Sequence, residues 1–145
     1  MKRIGLLTSG GDCPGLNACI RAVVRTANYY NIEVIGFIRG FKGLIENDYK
    51  VLDYKSVAGI LQRGGTILLT AREPRFKEYD YRKIAFENIK NLGIDALFVI
   101  GGNGSFQGAY FLQKDFDLNV IGIPKTIDND IYGTEYAIGF DTAVN

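Results

Sequence analysis

The chain has 145 residues, 47% of them hydrophobic, with 17 basic side chains against 16 acidic ones. That is apolar material for one core and one domain, with no net field to draw the chain to nucleic acid or to an anionic membrane. Histidine is absent from the sequence, which excludes Ser-His-Asp triads, Cys-His dyads and the common zinc sites and leaves general-base work to a carboxylate.

The amino terminus, MKRIGLLTSGGD, is broken by glycines and Asp12 before a signal-peptide core forms, and no apolar run has the length of a membrane span. The sequence reads as cytosolic, with Cys13 and Cys19 reduced and Cys19 a small core residue. Arg3 to Thr8 is the first expected strand, a short Ile/Leu run closed by glycines. TSGGDCPGLNA, residues 8 to 18, then opens a helix in which Ile20, Val23, Val24 and Ala27 recur at i, i+3, i+4, i+7. Glu33 to Ile38 is the second strand, and a further helix is expected around Ser56 to Gln62. RGGTILLTAREPRF, residues 63 to 76, reads as a strand that delivers Arg72 to the sheet edge.

Ala85, Ile89 and Leu92 mark a helix that ends at Gly93, followed by a strand from Ala96 to Ile100. IGGNGSFQGA, residues 100 to 109, repeats the strand, double glycine, polar residue and helix arrangement, with the helix beginning near Ser105. Asn119 to Ile123 is the last expected strand, and PKTIDNDI, residues 124 to 131, follows it. The alternation specifies an α/β fold: a layered, Rossmann-like, mainly parallel sheet with helices on both faces. GFDTAVN ends on a capping residue with no completed turn after it, which predicts that the chain continues beyond Asn145.

A glycine-rich turn between a strand and a helix lets a phosphate approach backbone amides at the positive end of the helix dipole. Two such turns at one sheet edge favour phosphate binding over the alternative that glycine merely relieves strain in each. Leu16 and Asn17 stand where a Walker loop needs Lys and Ser or Thr, and Gly102, Gly104 and Gly108 are spaced one residue longer than the dinucleotide fingerprint. Arg72 is either a phosphate partner or a solvated surface arginine. Thr126, Asp128 and Asp130 supply a hydroxyl and two carboxylates for phosphoryl transfer, or else an Asx-rich turn.

In order and approximate spacing, GGDCPGLNACIR, RGGT followed by Arg72, IGGNGS with Gly108, PKTIDNDI and IGFDTA resemble the phosphofructokinase family from Lys2 to the last residue. The resemblance implies that residues 1–145 are the nucleotide-binding portion of a subunit about twice this length. The implied reaction takes ATP and fructose 6-phosphate to ADP and fructose 1,6-bisphosphate with Mg²⁺, in a cytoplasmic homotetramer that binds neither nucleic acid nor membrane. By motif, Asp128 is the base for the sugar 1-hydroxyl, Thr126 and Ile127 line the sugar and the transferred phosphate, and Asp130 belongs to the same catalytic cluster. Gly11, Phe41, Arg72, Glu73, Gly102, Asn103, Gly104, Ser105 and Gly108 are implied to hold ATP.

Asn103 stands where the family usually carries the metal-linked Asp. Gly104 matches ATP-dependent members, whereas Lys125 resembles the pyrophosphate-dependent group. Arg21 and Arg25, one turn apart, match the family's allosteric site, although Tyr54 and Gly59 replace two residues of that pocket. The competing readings are a pyrophosphate-dependent enzyme, a non-catalytic nucleotide-binding fragment or paralogue, and a dinucleotide-dependent oxidoreductase. The last is disfavoured by the glycine spacing and by Arg39 and Lys42 after the second strand, where an acidic residue is needed.

Overall fold

The computed structural model describes residues 1–10, 15–60 and 64–125. Its elements are β1 (Arg3–Thr8), α1 (Leu16–Tyr29), β2 (Glu33–Phe37), α2 (Phe41–Glu46), β3 (Tyr49–Leu52), a 3₁₀ turn (Pro74–Lys77), α3 (Tyr79–Asn91), β4 (Ala96–Gly101), α4 (Asn103–Phe116) and β5 (Asn119–Pro124). The strands form one sheet in the order β3-β2-β1-β4-β5. β1 pairs in parallel with both β2 and β4, and β4 pairs in parallel with β5; β3 runs antiparallel at the edge beside β2.

The apolar runs become strands because both faces of the sheet are covered. Leu7, Ile35, Phe37, Leu97 and Val99 pack under Leu44 and Ile45 of α2, Ala85 and Ile89 of α3, and Ala109 and Leu112 of α4. On the opposite face Ile4, Leu6, Val34, Ala96 and Ile100 meet Leu16, Ile20, Val24 and Ala27 of α1. Each large side chain buried in this way contributes about 1.5–3 kcal/mol relative to exposure, which is how a periodic stripe on each helix is converted into a fixed layer.

Two sequence expectations are corrected. Residues 64–73 form no strand; the segment crosses the carboxyl ends of β1 and β2 instead of pairing along them. Its backbone is tied crosswise: Ile67 N donates to Asn17 Oδ1 at 2.8 Å, Arg39 N to the Leu68 carbonyl at 2.8 Å, and Thr8 Oγ1 to the Leu69 carbonyl at 3.1 Å. β3 already holds the sheet position beside β2, and Leu69 has φ 63°, outside the range of a strand. The expected helix around Ser56 is, over its described part, a set of turns. Asp53 Oδ1 accepts from Ser56 N at 2.8 Å in a local Asx turn, and Gly59 has φ 76°, so the helical path ends before a second turn forms.

Candidate functional site

β1 leads to a helix on one face of the sheet and β4 to a helix on the other, while the strand order reverses between them. A crevice opens beyond the carboxyl ends of adjacent strands at such a switch point. Here Thr8 is paired with Ile100, so the two glycine-rich turns leave the sheet side by side, and Ser9 N donates to the Ile100 carbonyl at 2.9 Å.

Beyond these turns lies a cleft of about 1290 Å³ lined by Ser9 and Gly10 after β1, Phe41 of α2, the stretch Thr70 to Pro74, Phe76 and Lys77, and Gly104, Ser105, Gln107, Gly108 and Phe111 of α4. It is large enough for a nucleotide-sized ligand. Six of the residues named from the sequence therefore converge here: Phe41, Arg72, Glu73, Gly104, Ser105 and Gly108. Gly102 is the amino-terminal cap of α4 and Asn103 its first residue, so both stand at the rim. Gly11, Thr126, Ile127, Asp128 and Asp130 lie outside the described residues. Arg21 and Arg25 lie on α1 and are not among the described residues that line the cleft.

Part of the lining is suited to an anion. Gly102 offers no side-chain cap to α4, and the first turn of that helix carries no acidic residue. Amides at a helix start without a side-chain cap are suited to an anion. Arg72 is exposed, lines the cleft, and makes no hydrogen bond or ion pair with a described residue. Lys77 adds a second cation, and Glu73 is the one acidic residue among the described residues that line the cleft. That carboxylate is already taken: Arg75 Nε donates to its Oε2 at 2.8 Å, and Arg75 holds it below the usual carboxylate range.

The lining also has an apolar, flat part. Phe41 and Phe76 stack with centroids 4.2 Å apart and planes 25° from parallel, and both are buried. A Cβ at Gly108 would stand 3.1 Å from the Phe76 ring, so a glycine lets this pair press against α4. A Cβ at Gly104, by contrast, would meet no described residue within 4 Å, so the described residues leave the space above the start of α4 open.

Sequence reasoning missed Phe76, Lys77 and the placement of Lys125. Lys125 is 5% exposed, and its backbone N donates to the Gly101 carbonyl at 2.9 Å. Its Nζ lies 3.2 Å from where a Cβ on Gly10 would stand, and Gly10 has φ 86°. A buried cation is thus wedged between the two glycine turns at the end of β5. A lone lysine after an Ile/Val run was a legible signal of a charged strand end, but its direction depends on the pairing of β5 with β4.

Among the described residues no group of His, Cys, Asp and Glu could cage a metal ion. Asn103 offers a single neutral amide at the rim. This donor set fits a magnesium ion that arrives on a polyphosphate and keeps most of its oxygen ligands from phosphate and water. No helix among the described residues is long and apolar enough to cross a membrane.

The phosphofructokinase family model matches residues 3–145. An ATP-dependent 6-phosphofructokinase of Sulfurihydrogenibium sp. (strain YO3AOP1) is 86% identical over the whole chain, and one of Persephonella marina is 70% identical. The chain spans 45% of the length of each. A phosphofructokinase structure from Pichia pastoris superposes with a TM-score of 0.92 at 39% identity, covering 96% of this chain and 17% of that one. A pyrophosphate-dependent relative from Marinobacter aquaeolei, at 24% identity and a TM-score of 0.86, shares the fold.

Proposed function

The chain belongs to the phosphofructokinase family, and from this we infer that the whole protein is an ATP-dependent 6-phosphofructokinase. It transfers the terminal phosphoryl group of ATP to the 1-hydroxyl of fructose 6-phosphate, in glycolysis, as a cytoplasmic homo-oligomer. The observation that carries the reading is the mixed lining of the cleft: a buried aromatic pair together with Arg72, Lys77 and the start of α4, where Gly102 offers no side-chain cap. A ligand with a flat apolar part and a polyanionic part matches both sets of residues.

Phosphoryl transfer depends chiefly on positioning and on stabilising negative charge. In this reading Arg72 and the amides of Gly102, Asn103, Gly104 and Ser105 hold the phosphates, and Gly11 lets them approach the first turn. Mg²⁺ would neutralise phosphate charge when it is bound, with Asn103 contributing a neutral oxygen directly or through water. Asp128 takes the proton from the sugar hydroxyl, Thr126 and Ile127 orient the acceptor, and Asp130 supports that loop. Arg21 and Arg25 belong to an effector site on α1.

Pyrophosphate is the alternative donor, and the buried ammonium of Lys125 beside Gly10 is the observation that favours it. The open volume above Gly104 and the 86% identity to an ATP-dependent enzyme favour ATP. Initial rates of fructose 1,6-bisphosphate formation by the whole-length protein, with each donor in turn, decide between them. ATP is expected to give the higher kcat/KM; turnover with pyrophosphate alone would overturn the assignment.

A further inference from the structure

Arg72 is followed directly by a carboxylate, and both residues line the cleft. An ionised Glu73 free to swing toward Arg72 would occupy the guanidinium and repel a polyphosphate. The structure shows what prevents this. Glu73 precedes the 3₁₀ turn and accepts from Arg75 three times: from its backbone N at 3.2 Å, from Nε at 2.8 Å, and from Nη2 at the second oxygen. The Glu73 side chain is 5% exposed, against 37% for Arg75. Arg75 is itself fixed from other directions, with Nη2 3.3 Å from Glu46 of α2 and the guanidinium 5.4 Å from the centre of the Tyr81 ring.

Two-point pairing of a planar guanidinium with a carboxylate fixes direction as well as charge. Lys42 is a further cation acting on Glu73, at longer range and without such a contact. The geometry points to Arg75 as a positioning residue that turns the Glu73 carboxylate away from Arg72 and cancels its charge, so that Arg72 stays available to the phosphates of the nucleotide. The inference rests on the kinase reading above for the identity of the ligand, and on the Glu73–Arg75–Glu46 contacts for the device itself.

The test uses the whole-length protein. Arg75→Met leaves Glu73 ionised and untethered, and is expected to raise the KM for ATP about fivefold to tenfold while kcat changes less than about twofold, as befits one uncompensated charge near a partly solvated site. The double variant Glu73→Gln, Arg75→Met removes the stray charge and is expected to recover most of that loss. If Arg75 only stapled the turn, the double variant would be as impaired as the single one, because neither retains the staple; that result overturns the proposal. So does an unchanged KM in Arg75→Met, which would mean that Lys42 holds the carboxylate equally well.

Should Arg75→Met fail to fold, as judged by its Tm, Arg75→Lys serves in its place. It keeps the charge but loses the fork, and it should shift KM in the same direction by a smaller factor. The dissociation constant of ATP, measured by calorimetry on the same variants, reports on the device without turnover. Wild-type protein that binds ATP but does not phosphorylate fructose 6-phosphate sinks the kinase reading alone, whereas variants that bind ATP as the wild type does sink the role of Arg75.

Discussion

Replacing Arg82 with Met should loosen the wall of the cleft more than any change at its surface. Arg82 is a buried arginine of α3 that ties three elements together. Its Nη1 donates to the Phe76 carbonyl at 3.1 Å, Nε and Nη2 reach Asp115 Oδ2 of α4 at 3.3 and 3.2 Å, and its guanidinium lies 4.9 Å from the centre of the Phe111 ring. Unit charges at that separation attract by about 5 kcal/mol at an effective dielectric near 20, and desolvation cancels most of this while both partners are present. Methionine keeps the apolar stem but leaves the Asp115 carboxylate, whose side chain is 20% exposed, and the Phe76 carbonyl without this partner. Removing one partner of a buried pair costs about 3–5 kcal/mol, and the residual exposure of Asp115 lowers the expected loss to about 2–4 kcal/mol.

Native-state hydrogen exchange of the whole-length protein reads this locally. Amides of the 3₁₀ turn and the last turn of α4 should exchange about 30-fold to several hundred-fold faster, at a factor of ten per 1.4 kcal/mol. Arg82→Met with Asp115→Asn should regain part of that loss, since only the carbonyl then lacks its donor. A single variant within about threefold of the wild type, or a double variant no better than the single, would show that the ion pair is not what fixes this wall.

Gly104→Asp places a carboxylate in open space at the start of α4, where the helix dipole favours it by about 0.3–1 kcal/mol, so Tm should hold or rise while the KM for ATP rises at least about tenfold. A parallel fall in Tm and affinity would instead mean that the site has no room for the side chain. Asn103→Asp adds the negative charge that the amide lacks, and should lower the Mg²⁺ concentration needed for half-maximal activity severalfold; an unchanged Mg²⁺ dependence would remove Asn103 from the metal's surroundings. Glu73 is held below its ordinary pKa first by its hydrogen bonds from Arg75, and Asp95 by the backbone amides of Lys2 and Arg3. Carboxylates with depressed folded-state pKa values stabilise the fold above their unfolded values and cease to do so as pH falls through the folded ones. Thermal stability should therefore decline below about pH 4.5, with a shallower acid limb in Asp95→Asn; an identical limb in that variant would refute the assignment.

The strands that build the crevice were legible because a parallel strand buried on both faces leaves a continuous Ile, Val and Leu run, as in Arg3–Thr8 and Ala96–Gly101. β3 was not. Three of its four residues, Tyr49, Lys50 and Val51, are exposed, so an antiparallel edge strand carries neither the apolar run nor a clean alternation. The stretch around TILLT misled for the opposite reason. Thr66 and Leu68 are buried while Leu69 is exposed, which is the signature of a half-buried strand, yet its hydrogen bonds go to Asn17, Thr8 and Arg39 rather than to a ladder. Periodicity reports which side chains are buried, not what the backbone is bonded to.

The same distinction separates the site residues that could be read from those that could not. Gly104, Gly108 and Arg72 sit in motifs whose purpose is local: a glycine before or within a helix, a cation after a polar bend. Phe76 and Lys125 act only through elements distant in the chain, the ring through Phe41 of α2 and the ammonium across the Gly10 turn, while Arg75 links its near neighbour Glu73 to the distant Glu46. None of the long-range pairings has a spacing that a single sequence could reveal. What the fold adds to the motifs is therefore mainly a set of constraints on Arg72: Thr8 and Asn17 pin the segment ahead of it, Phe76 and Arg82 anchor the turn behind it, and Arg75 withdraws the nearest carboxylate. The backbone on both sides of Arg72 is thus fixed by tertiary contacts, while its exposed side chain makes no hydrogen bond or ion pair with a described residue. A fixed backbone carrying an exposed, uncommitted guanidinium at the cleft is what the phosphate-binding proposal requires of this position.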